Sequence, residues 1–278
     1  MLPTQAEGDS MYELLAIEMS LMPRKFNQIP RWQGRAAQAL FYATLHRIHP
    51  MVSKTIHDLY KWHPRMPKPF TMSSIVGAVE VDDLIQLKPT ETIQLRLTTL
   101  HPHLTSIVQH GVLPIWLREG FSLHDQYLTV LKITQHTRLH YSDLLRQASD
   151  SSQILLDFTS PTSFKKTEGY YYAEPNVELI FMSLFNRWNA FASEQLPDAV
   201  CESITKRICI VDAGITQDVL SFARGKKGTI PGFSGTVRLI LDEPSASLRK
   251  MINALADFAR FSGVGVKTTV GMGQVRVI

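Results

Sequence analysis

The chain has 278 residues, 44% hydrophobic and 19% charged, enough for one large core or two ordinary ones and unlike a disordered chain. No apolar run approaches the roughly 20 residues of a bilayer-spanning helix, and the two cysteines, Cys201 and Cys209, are too few for a disulfide framework or a cysteine metal site. The net charge of +4 is unevenly spread: Arg24 to Lys68 holds nine Lys/Arg against Asp58 alone, and Cys201 to the end holds eleven against six acids. Two basic blocks, one near each end, point to a polyanion held between two lobes. The opening MLPTQAEGDS reads as a loose polar extension without a signal peptide's plan, with Met11 a second place to start. The expectation is a cytoplasmic protein with no membrane partner, no cofactor and no metal.

In chain order, Met11 to Met22 reads as a strand, and Gly34 to His49 as a helix with Ala37, Leu40, Phe41, Leu45 and Ile48 on one face. Pro50 breaks it, and Met51 to Tyr60 forms a second short helix. Lys68 to Val81 and Thr92 to Leu100 are strand-like, His103 to Val112 is helical, and Phe121 to Ile133 is a closing strand. Thr137 to Ser152 is polar and reads as a linker. A second cycle follows: strand Gln153 to Thr159, helix Asn176 to Ser193, strands Ile208 to Phe222 and Gly228 to Leu241, helix Ser247 to Phe261, and strand Gln274 to Ile278. The order β-α-β-β-α-β occurs twice, which predicts an α+β protein of two tandem ferredoxin-like modules, residues 11–136 and 152–278. Each is expected to carry helices on one sheet face and leave the other available, as in RRM-like folds.

The last sixteen residues, GVGVKTTVGMGQVRVI, hold Gly263, Gly265, Gly271 and Gly273 around Lys267. Such density demands unusual backbone angles or a very close approach. The loop is either an anion-binding concavity of backbone N–H groups or a hairpin that lets the last strand turn. It is neither of two familiar phosphate loops: Val266, not glycine, precedes Lys267, and the helix comes before the glycines, not after.

The first basic block also holds four of the ten histidines: His46, His49, His57 and His63. On the first helix Tyr42, His46 and His49 stand at i, i+4 and i+7, with Arg35 two turns earlier. Lys68 lies just ahead of Phe70. Histidine is the commonest general acid/base, and a tyrosine, a histidine and a lysine suffice to cut RNA. A base frees the 2′-OH to attack the adjacent phosphate, an acid protonates the leaving 5′-oxygen, and a cation stabilises the phosphorane. Which histidine does this stays open on spacing alone. In the second half, Arg224, Lys226, Lys227 and Arg238 flank a hairpin, GKKGTIPGFSG, suited to a phosphate backbone.

Four segments in order carry a family resemblance. GVGVKTTVGMG resembles the C-terminal glycine-rich loop of the Cas-six family, CRISPR repeat-processing endoribonucleases of the RAMP superfamily. TIHD with the downstream KPFTMS, LLDFTSPTSFK, and GTIPGFSGTVRLIL are similar to that family's other signatures. The resemblance implies two ferredoxin-like folds and metal-independent cleavage of CRISPR precursor RNA within each repeat, leaving a 2′,3′-cyclic phosphate and a 5′-OH. Carried over by motif, Tyr42 and His57 become base and acid and Lys68 stabilises the phosphate, with His46 and His49 as alternates. The RNA-binding set is Arg35, Arg224, Lys226, Lys227, Arg238, Gly263, Gly265, Lys267, Gly271 and Gly273, the loop holding RNA backbone or bracing the two modules. The implied partner is CRISPR repeat RNA, with a multi-subunit interference complex and a homodimer as further expectations. The alternative is a non-catalytic protein that retains the processed RNA.

Overall fold

The computed structural model describes residues 12–62, 66–165, 170–221 and 228–278. Residues 1–11, His63, Arg224, Lys226 and Lys227, read above as extension or site, lie outside the described residues.

The first module begins with β1 (Leu14–Pro23), β2 (Asn27–Pro30), α1 (Gly34–Ile48), α2 (Pro50–Trp62) and β3 (Phe70–Met72). Then come β4 (Val79–Val81), β5 (Leu84–Leu87), β6 (Ile93–Thr99), α3 (Pro102–Ile107), a π turn (Val108–Val112), α4 (Leu113–Glu119), β7 (Phe121–Leu123) and β8 (Gln126–Leu139). After α5 (Tyr141–Gln147), the second module holds β9 (Gln153–Thr162), β10 (Phe164–Lys165), β11 (Tyr171–Tyr172), α6 (Val177–Phe191) and α7 (Asp198–Arg207). It closes with β12 (Ile208–Ser221), β13 (Thr229–Leu241), α8 (Ala246–Ser262), a 3₁₀ turn (Thr268–Val270) and β14 (Val275–Val277).

The main sheets run β3-β6-β1-β8-β7 and β12-β13-β9-β14, antiparallel throughout. Both give the four principal strands the spatial order second, third, first, fourth, the ferredoxin-like arrangement read twice from the sequence. Leu15, Ile17, Met19 and Leu21 of β1 alternate into a core with Ala37, Phe41 and Leu45 of α1. The second core gathers Ile154, Leu156 and Phe158 with α6 and α8, and also takes Leu14 and Ala16 from the opposite face of β1. Asn176 and Ser245 cap α6 and α8 through Leu179 and Leu248 N–H groups.

Several expectations change. The strand predicted over Lys68 to Val81 ends at Met72. There Ser73 Oγ accepts the Arg96 N–H and Ser74 Oγ the Gln33 N–H, at 2.8 and 3.0 Å, and the chain departs to form a separate sheet, β2-β5-β4. The closing strand divides at His124 and Asp125, whose φ of 48° and 60° make a tight hairpin turn, and β8 runs on to Leu139. The helix after β6 continues past Val112 to Glu119 despite Pro114. The π turn supplies an i+5 bond from Leu113 N–H to Val108 O at the join, and Pro114 sits at the start of α4, where a missing N–H matters least. The expected linker contains a capped helix, α5, whose Tyr141, Leu144 and Ala148 enter the second core. Helix α7 was not foreseen.

The first sheet's second face is also not fully free. Helix α8 lies against it: the Arg96 guanidinium donates to the Arg260 carbonyl at 2.7 Å and the Thr98 hydroxyl to the Phe261 carbonyl at 2.5 Å.

Candidate active site

Helix α1 and its C-cap present a stripe of Arg35, Gln38, Tyr42, His46 and His49, spaced 3, 4, 4 and 3 residues, beside the buried Ala37, Phe41 and Leu45. At its middle, Tyr42 packs edge-on against His57 of α2 with ring centroids 5.9 Å apart, and Lys68 Nζ stands 5.0 Å from the Tyr42 ring centre. Phe70, at the start of β3, backs the same ring at 5.6 Å. His57 is exposed, with Nδ1 3.3 Å from Asp58 Oδ1. The structure therefore brings Tyr42, His57 and Lys68 together from three elements. His46 and His49 are exposed toward the C-terminal end of α1.

The glycine loop comes to this same place, although about 200 residues separate it from Tyr42 in sequence. Burial pulls the Lys68 ammonium below the usual lysine range, and the Lys267 charge pulls it further. Lys267 is lowered by burial, then by Arg35 and Lys165. Arg35, Lys68 and Lys165 thus each lie within electrostatic reach of Lys267, and Lys68 also stands over Tyr42. Lys165 was missed in the sequence, where it read only as the end of a strand motif. Such a cluster is costly to assemble unless an anion neutralises it.

The loop's glycines are accounted for by packing. Gly263, Gly265, Gly271 and Gly273 all have positive φ, from 60° to 97°, and a Cβ on Gly271 would lie 2.8 Å from Ser74 N and 3.0 Å from Trp32. On the opposing side, a Cβ on Gly34 would lie 1.6 Å from the Val270 carbonyl oxygen. Much of the loop's backbone donates inward: Val264 N–H to Gly273 O, Val266 N–H to Ser163 O, and Gly265 N–H to Ser183 Oγ. Of the two expected roles, bracing is visible in these contacts, and Lys267, itself at φ 58°, is the loop's cation toward Lys68. Arg187 of α6 holds the loop from behind, donating to the Gly263 and Gly265 carbonyls at 2.9 and 2.6 Å. Its sequence signal was an arginine within a strongly apolar helix.

Arg238 is exposed on β13, opposite Leu155 of β9, between the buried Val237 and Leu239. It therefore lies on the sheet face turned from the core. Between the two modules a cleft of about 890 Å³ is lined by residues including Glu18, Arg96, Ser160, Asp257 and Arg260. Burial lowers Arg96 to about 10, with Glu18 opposing and Arg260 reinforcing the shift. Among the described residues, no group of three or more His, Cys, Asp or Glu side chains is placed to hold a metal ion. No described helix is long and apolar enough to cross a membrane.

The family model for CRISPR-associated endoribonuclease Cas6 matches residues 156–275. A CRISPR-associated endoribonuclease Cas6 of Streptococcus thermophilus is 23% identical over 137 residues, 49% of this chain and 54% of that protein. One from Mycobacterium tuberculosis is 27% identical over 148 residues, 52% of this chain and 43% of its own length. The chain thus spans about half the length of the curated relatives it matches. Among solved structures, a Cas6 product complex superposes with a TM-score of 0.79 at 24% identity, covering 97% of this chain and 100% of the other. Thermus thermophilus Cas6 gives 0.67 at 23% identity with the same coverage, and a Cas6-related protein of Pyrococcus furiosus gives 0.63 at 18%, covering 95% and 98%. At these identities the structures speak for the fold, while the family model and curated relatives show that the chain is similar to CRISPR-associated Cas6 endoribonucleases over about half its length.

Proposed function

We propose that this protein is a metal-independent endoribonuclease that cuts CRISPR precursor RNA within its repeats. The observation that carries the reading is the Tyr42–His57–Lys68 group beside a second lysine, Lys267. Tyr42 and His57 serve as base and acid. One takes the 2′-OH proton as the O2′–P bond forms, and the other protonates O5′ as the P–O5′ bond breaks. Lys68 stabilises the charge on the phosphorane oxygens, and Lys267, Arg35 and Lys165 hold the flanking phosphates. The products are a 2′,3′-cyclic phosphate and a 5′-OH, formed in the cytoplasm where transcripts are made. Arg238, with Arg224, Lys226 and Lys227 of its hairpin, extends the contact along the RNA, and the loop glycines let the backbone there close up.

The test is incubation with repeat RNA in excess EDTA. One cut, abolished by a 2′-deoxy substitution at a single nucleotide, is expected. Tight binding without a cut under any condition would overturn catalysis and leave an RNA-retaining protein. Sizing the RNA complex reads whether one copy or two engage it, and whether product stays bound for transfer to an interference complex. Affinity should fall steeply with salt as phosphate contacts release counterions.

A further inference from the structure

The 3₁₀ turn Thr268–Val270 sits between α1 and the start of β3, two of the three elements that carry the proposed reaction centre. On one side it meets α1: the Val270 carbonyl occupies the space a Gly34 side chain would need, and the Gln38 amide donates to Thr269 Oγ1 at 2.6 Å. On the other it is followed by Gly271, packed against the backbone of Ser73 and Ser74 just beyond β3. Lys68 leads into β3, and Tyr42 stands one turn after Gln38 on the same stripe of α1. The second module therefore touches the supports of Tyr42 and Lys68 through one short turn.

We infer that Gln38 is a positioning residue: its hydrogen bond to Thr269 holds the loop-facing side of α1 in the setting that presents Tyr42 to His57 and Lys68. The inference rests on the endoribonuclease reading above and adds to it a link between module docking and catalytic geometry. The physical argument is directional. Gly34 and Val270 meet through close backbone packing, which limits how near the turn and helix come but not how the helix is rotated about its axis. Core packing of Ala37, Phe41 and Leu45 sets the coarse orientation of the helix, and a directional side-chain bond one turn before Tyr42 restrains what movement remains on the loop side. Tyr42 projects from the same stripe, so a small rotation of α1 carries its ring away from His57 and Lys68 together. Gln38 is neutral, so it can bind the loop without adding to or cancelling the charge of Lys267 and Arg35.

The experiment compares Gln38→Ala, Thr269→Val, the double variant and Thr269→Ser in single-turnover cleavage of repeat RNA, with RNA affinity measured in parallel. Misplacement of a reacting group by about 1 Å costs on the order of 10²-fold. Gln38→Ala and Thr269→Val are therefore each expected to slow cleavage by about 10- to 100-fold with affinity within about two-fold. The double variant should be no slower than either single one, because both remove one bond. Thr269→Ser, which keeps the hydroxyl, should restore most of the rate. Wild-type rates in Gln38→Ala, losses that multiply in the double variant, or a loss confined to affinity would each overturn the inference. A second readout is independent of cleavage: 3-fluorotyrosine at position 42 should show the same ¹⁹F resonance shift in Gln38→Ala and Thr269→Val. An unmoved resonance overturns the positioning role even if the enzyme is active. If the wild type fails to cut in EDTA while both variants move the resonance, the endoribonuclease reading fails and the link between Gln38 and Tyr42 stands.

Discussion

Both modules carry one strand order, yet their helices bury themselves differently. Helix α1 is one-sided: Ala37, Phe41 and Leu45 face the first sheet, and the Arg35-to-His49 stripe is left to solvent and to the glycine loop. Helix α8 is buried from Ile252 to Ser262 with partial breaks at Asp257 and Arg260, because it lies between its own sheet and the first sheet, where Arg96 and Thr98 bond its last carbonyls. The first module thus keeps a polar surface on which acid/base side chains can meet a substrate. The second contributes rigidity and charge to that surface from across the interface. The proposed reaction centre draws on both modules: Tyr42, His57 and Lys68 come from one, Lys165 and Lys267 from the other.

The largest effects should come from breaking the first module's half of the centre. His57→Ala and Lys68→Ala are expected to slow single-turnover cleavage by about 10²–10⁴-fold. RNA affinity should hold for His57→Ala, and His46→Ala and His49→Ala should cut nearly as well as wild type. If His46→Ala is instead the dead variant and His57→Ala is active, the Tyr42-centred site is wrong. Next in size is the backbone contact that joins the modules. A methyl group at Gly34 meets the Val270 carbonyl at 1.6 Å, so Gly34→Ala should cost about 1–3 kcal/mol of stability by forced overpacking. That inverts the usual gain from replacing a helical glycine with alanine. Gly214→Ala, where the new methyl meets only the Thr236 hydroxyl at 3.3 Å on an exposed strand, should change the urea midpoint little. Equal losses at the two positions would contradict the docking contact as described.

The fold was legible because its signals are local and periodic. Spacing of apolar residues in 34–48 and 177–191 and alternation in 229–241 gave elements close to those observed, and their order gave the topology. What was missed depends on tertiary partners. Ser73 and Ser74 end a strand only because Arg96 and Gln33 stand opposite. The residues 141–147 look polar until Tyr141 has a core to enter and Leu100 to accept its hydroxyl hydrogen. At the site, Tyr42, His57 and Lys68 were named from motifs, whereas Gln38, Lys165 and Arg187 required the loop's docked position. The glycine loop was read as holding RNA backbone or bracing the modules, and its position beside Lys68 was not legible, since sequence separation carries no information about which elements meet.

The smallest predicted effect tests the cross-module charge directly. Lys68 is lowered first by burial and then by Lys267, and it must be protonated to stabilise the phosphorane. Its deprotonation therefore sets a basic limb of the pH–rate profile below the ordinary lysine value. Removing the Lys267 charge relieves the second cause only, so Lys267→Ala should move that limb to higher pH while the burial part of the shift remains. The same variant removes a phosphate contact, so affinity should weaken and the slope of log affinity against log salt should become shallower by about one. Lys267→Arg keeps the charge and should leave the limb in place. A limb that stays fixed in Lys267→Ala while the salt slope changes would mean that Lys267 holds RNA without influencing Lys68, and that the two modules share the substrate but not the chemistry.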